Sequence, residues 1–157
     1  MTQAAVVRPA TVADAPVIAA LIAMGHASAP MDAAAAEAEG RHPAYAAAFA
    51  RVAASEANHL FVAEQAGRVV GTYQLTVLPG IAERGRTRGK IESVHVDPAL
   101  RGSGVGAAMM RHAVAEARAL GIGLLELSSS KSRKDAHRFY ERLGFARSHE
   151  GFKMALD

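Results

Sequence analysis

Cysteine is absent from this chain, which excludes disulfides and a thiol nucleophile. Aromatic residues make up only 5% of it, too few to offer nucleobases a stacking platform. The formal net charge is only +3, from Lys and Arg that are scattered along the chain. Nucleic acid is therefore not an expected partner. None of the seven histidines sits in an H-E-x-x-H pair or beside a cysteine, so no metal site is expected. Long apolar runs are missing as well. Ala46-Ala47-Ala48-Phe49-Ala50 is built from alanine and falls far short of a bilayer's thickness, so no transmembrane helix is expected. The start of the chain lacks the basic residues, apolar stretch and cleavage site of a secretory signal, and a cytoplasmic location follows as an expectation.

What is present suits one domain over 1–157, with half of the residues apolar. Val6-Val7-Arg8 reads as a short strand. Thr11 or Asp14 then caps a helix with Pro16 in its first turn and Ile18, Leu21 and Ile22 on one face. Met24 to Gly40 reads as a loop or broken helix and Ala44 to Ala57 as a helix through Tyr45, Phe49 and Val52. Those two pieces are expected to flank a substrate entrance. Leu60 to Glu64 and Val69 to Leu78, on either side of Ala66-Gly67-Arg68, predict a hairpin. A polar loop to Gly89 carries Arg84, Arg86 and Arg88, which either attract an acidic substrate or merely keep the loop soluble.

Lys90 to Val96 predicts the next strand, and its apolar residues Ile91, Val94 and Val96 break strict alternation, as a bulge near Glu92-Ser93 would make them do. After Asp97-Pro98 come Arg101-Gly102-Ser103-Gly104-Val105-Gly106. Three glycines at every second position leave backbone N–H groups unscreened just where a helix over 105–120 begins. Those amides and the positive end of the helix dipole suit a pyrophosphate. The helix is expected to turn Val105, Met109, Ala113 and Leu120 to the sheet and to end at Gly121. Leu124 to Leu127 is the next strand, parallel to the one before the glycines by the crossover between them. A helix over 136–143 stops at Gly144, and strands near 145–149 and 152–156 close the chain.

Two nucleotide readings compete for the glycines. Gly102, Gly104 and Ala107 fit a loose dinucleotide fingerprint, with Glu126 spaced to hold a ribose. A proline turn intervenes after the strand, however, and roughly fifty residues follow, too few for a second nucleotide-binding half. The other reading is Arg101-x-x-Gly104-x-Gly106, which resembles the R/Q-x-x-G-x-G/A signature of the GCN5-related N-acetyltransferases (GNAT). About thirty residues on, Ala136-His137-Arg138-Phe139-Tyr140-Glu141-Arg142-Leu143-Gly144-Phe145 resembles the same family's A-x-x-F-Y-E-x-L-G-F segment, in the right order and spacing.

The resemblance implies an α/β GNAT-like fold: a mixed, mostly antiparallel sheet of six to seven strands with a central splayed parallel pair, and about four helices. It implies acetyl-coenzyme A as acyl donor, a primary amine on a small molecule or exposed on a protein as acceptor, and a possible homodimer. The donor is assigned to the main chain of Val94, His95 and Val96, to the loop Arg101, Gly102, Ser103, Gly104, Val105 and Gly106, and to Ser128, Arg133 and His137. Arg133 stands where relatives often have an asparagine. It belongs with Lys131, Lys134 and Arg138 to a basic cluster that either meets the donor's 3′-phosphate or is simply solvated. Tyr140 is the implied acid for the departing thiolate, against core packing as its other reading. An ammonium of pKa about 10 must also lose a proton before it can attack. Glu92 is the first candidate to accept it, against a strand glutamate holding an arginine, and His95 is the second. A coenzyme-binding regulatory module without catalysis is the alternative function.

Overall fold

Strand and helix follow the switches in hydrophobic period along a computed structural model that describes residues 3–157. In order come β1 (Val6–Pro9), α1 (Ala15–Met24), α2 (Ala33–Gly40), α3 (Pro43–Ala53), β2 (Asn58–Gln65), β3 (Arg68–Leu78), a one-turn α4 (Ala82–Gly85), β4 (Arg88–Val96), α5 (Val105–Ala119), β5 (Leu124–Leu127) and α6 (Lys134–Arg142). The five strands form one sheet in the order β1-β2-β3-β4-β5. The first three pairings are antiparallel and β4 with β5 is parallel, joined through α5. The predicted hairpin is present. Ala66 and Gly67 both take positive φ, 50° and 74°, the two-residue turn whose twist matches its strands.

One face of the sheet carries Phe61, Tyr73, Leu75 and Ile91 against Val105, Met109, Met110 and Ala113 of α5, all buried. Tyr73 satisfies its hydroxyl on His112 Nδ1 at 2.8 Å. Thr72 on the opposite face is fully buried and donates to the Phe61 carbonyl at 2.9 Å. Helix α1 packs against β3 and β4 with Ile18 and Leu21 buried. Its entry is pinned by Arg8, which meets both carboxylate oxygens of the buried Asp14 at 2.8 and 3.1 Å. The bond from Arg8 holds the Asp14 carboxyl below its usual range, against the opposing effect of burial.

Several expectations need correction. Among the described residues the sheet has five strands and there are six helices, and the parallel pair lies at the edge of the sheet. Asp32 accepts from the Ala35 N–H at 2.8 Å and so starts α2 in an alanine and glutamate run with no apolar stripe to announce it. Residues 145–149 and 152–156 form no strand, because no neighbouring backbone pairs with them. Leu120 caps α5 with 38% of its surface exposed, and Met110 and Ala117 take the buried positions instead. The reason is the fold of that end: the Ile122 N–H bonds to the Ala117 carbonyl and the Gly121 N–H to that of Arg118, which turns the chain off the sheet one residue early.

Candidate functional site

The bulge expected in β4 is where the site begins. Thr72 pairs with His95 and Gln74 with Glu92, so Ser93 and Val94 together face Tyr73, and Ser93 takes φ +52°. The slip keeps Ile91, Val94 and Val96 on the face under α5, where all three join the core. It also lies just past the last pairing of β4 with β5. Their ladder ends at Ile91 opposite Leu127, and beyond it β4 keeps only its bonds to β3. The outward backbone groups of Ser93 to Val96 are left facing a cleft.

The glycine loop stands at the end of that cleft. Asp97 accepts from the Ala99 N–H at 2.9 Å and the Leu100 N–H bonds to the Asp97 carbonyl at 2.8 Å, which folds the turn. Gly102 and Gly104 then take φ +79° and +92°, and a Cβ at either would have nothing within 4 Å. Among the described residues the N–H groups of Gly102, Gly104, Val105 and Gly106 have no acceptor. They are gathered at the start of a fifteen-residue helix, an arrangement that fits a diphosphate. Gly106 sits beneath α6, with the Phe139 ring 3.4 Å from where its Cβ would be.

Helix α6 brings Tyr140 to the same place. Its ring packs edge-on to Phe139 and Phe145, at centroid distances of 5.2 and 5.9 Å, on the core that Val94, Val96 and Leu127 also join. Burial pushes the phenol pKa up, and the Arg133 guanidinium partly opposes that. His137, one turn earlier, bonds through Nε2 to the Ser130 carbonyl at 2.8 Å. A carbonyl only accepts, so Nε2 carries a proton, and the buried Nδ1 has no hydrogen-bond partner among the described residues.

The family profile described as the Acetyltransferase (GNAT) family matches residues 25–145. The chain belongs to that family. Over 68 residues it is 44% identical to the aminoalkylphosphonate N-acetyltransferase of Salmonella typhimurium, covering 43% of this chain and 44% of that one. Over 98 residues it is 39% identical to the glucosamine 6-phosphate N-acetyltransferase of Trypanosoma brucei brucei, covering 62% and 63%. The matched stretch spans less than two thirds of either relative's length. A solved structure described as a transcriptional regulator from Bacillus halodurans C-125 superposes with a TM-score of 0.86 at 32% identity, over 98% of this chain and all of that one.

In this GNAT chain the other expected residues are spread around the cleft. Glu92 is exposed on β4 with Lys90 Nζ at 3.5 Å, a lysine where a partner arginine was the alternative. Ser128 is exposed just past the end of β5, and Lys131, Lys134 and Arg138 are solvated, Arg138 being paired with Asp135. Two of the arginines in the 79–89 loop are engaged structurally: Arg86 donates to the Gly123 carbonyl and Arg88 pairs with Glu126 at 2.9 Å. Glu126 is thereby occupied on β5. A depression of about 350 Å³ lined by Pro9, Phe49, Val52, Leu60, Phe61 and Glu116 lies beside the start of β2, apart from β4 and β5.

One grouping was not readable from the sequence. Arg133 reaches across the cleft to donate to the Gly25 carbonyl at the end of α1, and the His95 ring packs on Gly25 so closely that a Cβ there would clash with Nδ1. Burial lowers the His95 pKa to about 4, with further contributions from Arg133, Arg101 and His26. An imidazole that weak is a poor acceptor for an ammonium proton. The same shift ties stability to pH. The folded pKa lies below the ordinary 6.5, so the unfolded chain takes up the proton first; the contribution is complete above pH 6.5 and is lost as pH falls towards 4. Urea unfolding of His95→Gln between pH 4 and 7 is expected to show a flatter dependence than the parent. An identical slope would mean that His95 is not buried neutral.

Proposed function

We propose that this chain is an acetyl-coenzyme A-dependent N-acetyltransferase that moves the acetyl group to a primary amine by direct attack with both substrates bound. The observation that carries this reading is the set of unpartnered amides of Gly102, Gly104, Val105 and Gly106, opening α5 beyond the end of the ladder between β4 and β5. When bound, the coenzyme supplies an activated thioester. Arg101 and the loop amides would hold its pyrophosphate, the main chain of Val94, His95 and Val96 its pantetheine arm as an added strand, and Ser128, Arg133 and the free His137 Nδ1 the opposite wall. A backbone N–H at the Ser93 bulge would stabilise the oxyanion. Tyr140 would donate its hydroxyl proton to the thiolate sulfur. The burial that raises the phenol pKa raises a neighbouring thiolate's proton affinity for the same reason, which keeps the two matched. Glu92 would take the ammonium proton through water.

For the acceptor, the reading is a small amine that bears an acidic group. The two curated relatives, named for a phosphonate and a phosphate ester, support that choice. A second reading, a coenzyme-binding regulator without catalysis, is favoured by the description of the Bacillus structure. Thiol release from acetyl-coenzyme A across a panel of amines separates the two. Release is expected with aminoalkylphosphonates or amino sugar phosphates and to be at least tenfold slower with their uncharged analogues. Tight coenzyme binding without acceptor-dependent release would support the regulator.

A further inference from the structure

A row of polar side chains crosses the face of the sheet that α1 covers and ends beside Glu92. Thr72, Gln74 and Thr76 share that face of β3, and the register sets Thr76 opposite Asn58 of β2 and Gln74 opposite Glu92 of β4. The Thr76 hydroxyl donates to Asn58 Oδ1 at 2.9 Å, and Asn58 Nδ2 donates to the Ser55 hydroxyl at 2.9 Å. Gln74 Nε2 donates into the same row, to Asn58 Oδ1 at 3.2 Å and to Thr76 Oγ1 at 3.3 Å. Both hydrogens of that amide are thereby engaged inside the row.

What Gln74 offers beyond the row is a carbonyl. Its Oε1 accepts no hydrogen bond among the described residues and is not shut off from solvent. Side chains directly opposite in an antiparallel pair have Cβ atoms about 4.5–5.5 Å apart, so the Gln74 amide and the Glu92 carboxylate are neighbours. Two acceptors side by side repel unless a donor or a cation lies between them. Lys90 Nζ borders the carboxylate at 3.5 Å, a loose contact that leaves Gln74 unpaired.

We propose that Gln74 is a specificity-determining residue of the acceptor site: its Oε1 and the Glu92 carboxylate together receive two N–H groups of the acceptor's ammonium. This rests on the acetyltransferase reading of the cleft and adds a selection that Glu92 alone does not make. A primary ammonium brings three N–H groups and can serve both oxygens, whereas a hydroxyl has one hydrogen and leaves an acceptor unpaired. Ser93 of the bulge follows Glu92 directly, so the nitrogen is held one residue along β4 from the proposed oxyanion site. Asn58 acts through Gln74, as a positioning residue that keeps the amide turned.

The test is steady-state kinetics in the full-length protein with the primary amine of the panel that gives the fastest thiol release. Gln74→Met keeps the length of the side chain and removes its carbonyl. It is expected to raise the KM of that amine about tenfold or more, leave the KM of acetyl-coenzyme A within about twofold, and change inhibition by the amine's hydroxyl analogue less than about threefold. Asn58 supplies a readout that a merely structural row would not move. Asn58→Asp keeps an acceptor for Gln74 Nε2 and is expected to hold the amine's KM within about threefold of the parent, while Asn58→Leu frees the amide and should raise it about fivefold or more. An amine KM unchanged in Gln74→Met would overturn the inference. So would an Asn58→Asp variant as weak as Asn58→Leu, which would put the Gln74 NH2 at the site. A parent that releases no thiol with any amine would end the acetyltransferase reading and this inference with it, whereas an active parent with unaffected variants removes Gln74 alone.

Discussion

Tyr140→Phe is expected to lower kcat by about a hundredfold or more while leaving the donor's KM within about twofold, because the change removes one proton donor and nothing that binds. The ring contacts with Phe139 and Phe145 survive the substitution, and the hydroxyl has no hydrogen-bond partner among the described residues, so stability should be nearly unchanged. The raised phenol pKa adds a second signature. An acid that stays protonated past its ordinary value of about 10 gives a rate with no loss attributable to Tyr140 on the alkaline side below that pH. Steady-state kinetics with saturating substrates from pH 6 to pH 10 checks both. Unchanged turnover in the variant would leave Tyr140 with the packing role that its place on a helix face equally allows.

Legibility in the sequence followed the range of the interaction that fixes each feature. The Ala66-Gly67 hairpin, the slip at Glu92-Ser93, the glycine loop and the Gly121 helix end are all decided within a few residues of chain, and each was predicted at its place. Helix α2 could be read only as one side of a choice between a loop and a broken helix, because its start depends on one cap, Asp32, and its body of alanine and glutamate has no period to read. Arg133, His95 and Gly25 come together from elements 108 and 70 residues apart, and no local pattern connects them. The last segment failed in an instructive way. Period-two alternation tells how side chains would face once a strand is paired, but not what pairs with it, and here the alternation is intact while its partner is missing from the chain's own sheet.

Gly104→Val should separate folding from donor binding at the glycine loop. A β-branched residue at φ +92° is strained by about 1–3 kcal/mol, but its Cβ would meet no atom within 4 Å, so the fold should survive with a moderate drop in Tm. The new side chain adds bulk to the loop at the residue before the first turn of α5, where the unpartnered amides are gathered. If those amides hold a pyrophosphate, the Kd for coenzyme A should rise about a hundredfold, through lost charge-assisted bonds as well as crowding. Gly121→Val is the matched control. It sits at the other end of α5 with φ +72° and an equally open Cβ position, so it should bear a similar strain and leave the affinity alone. Calorimetric titration of both variants, with thermal unfolding beside it, gives the comparison. Equal losses of affinity would trace the effect to general destabilisation of α5, and normal binding by Gly104→Val would end the phosphate reading of the loop.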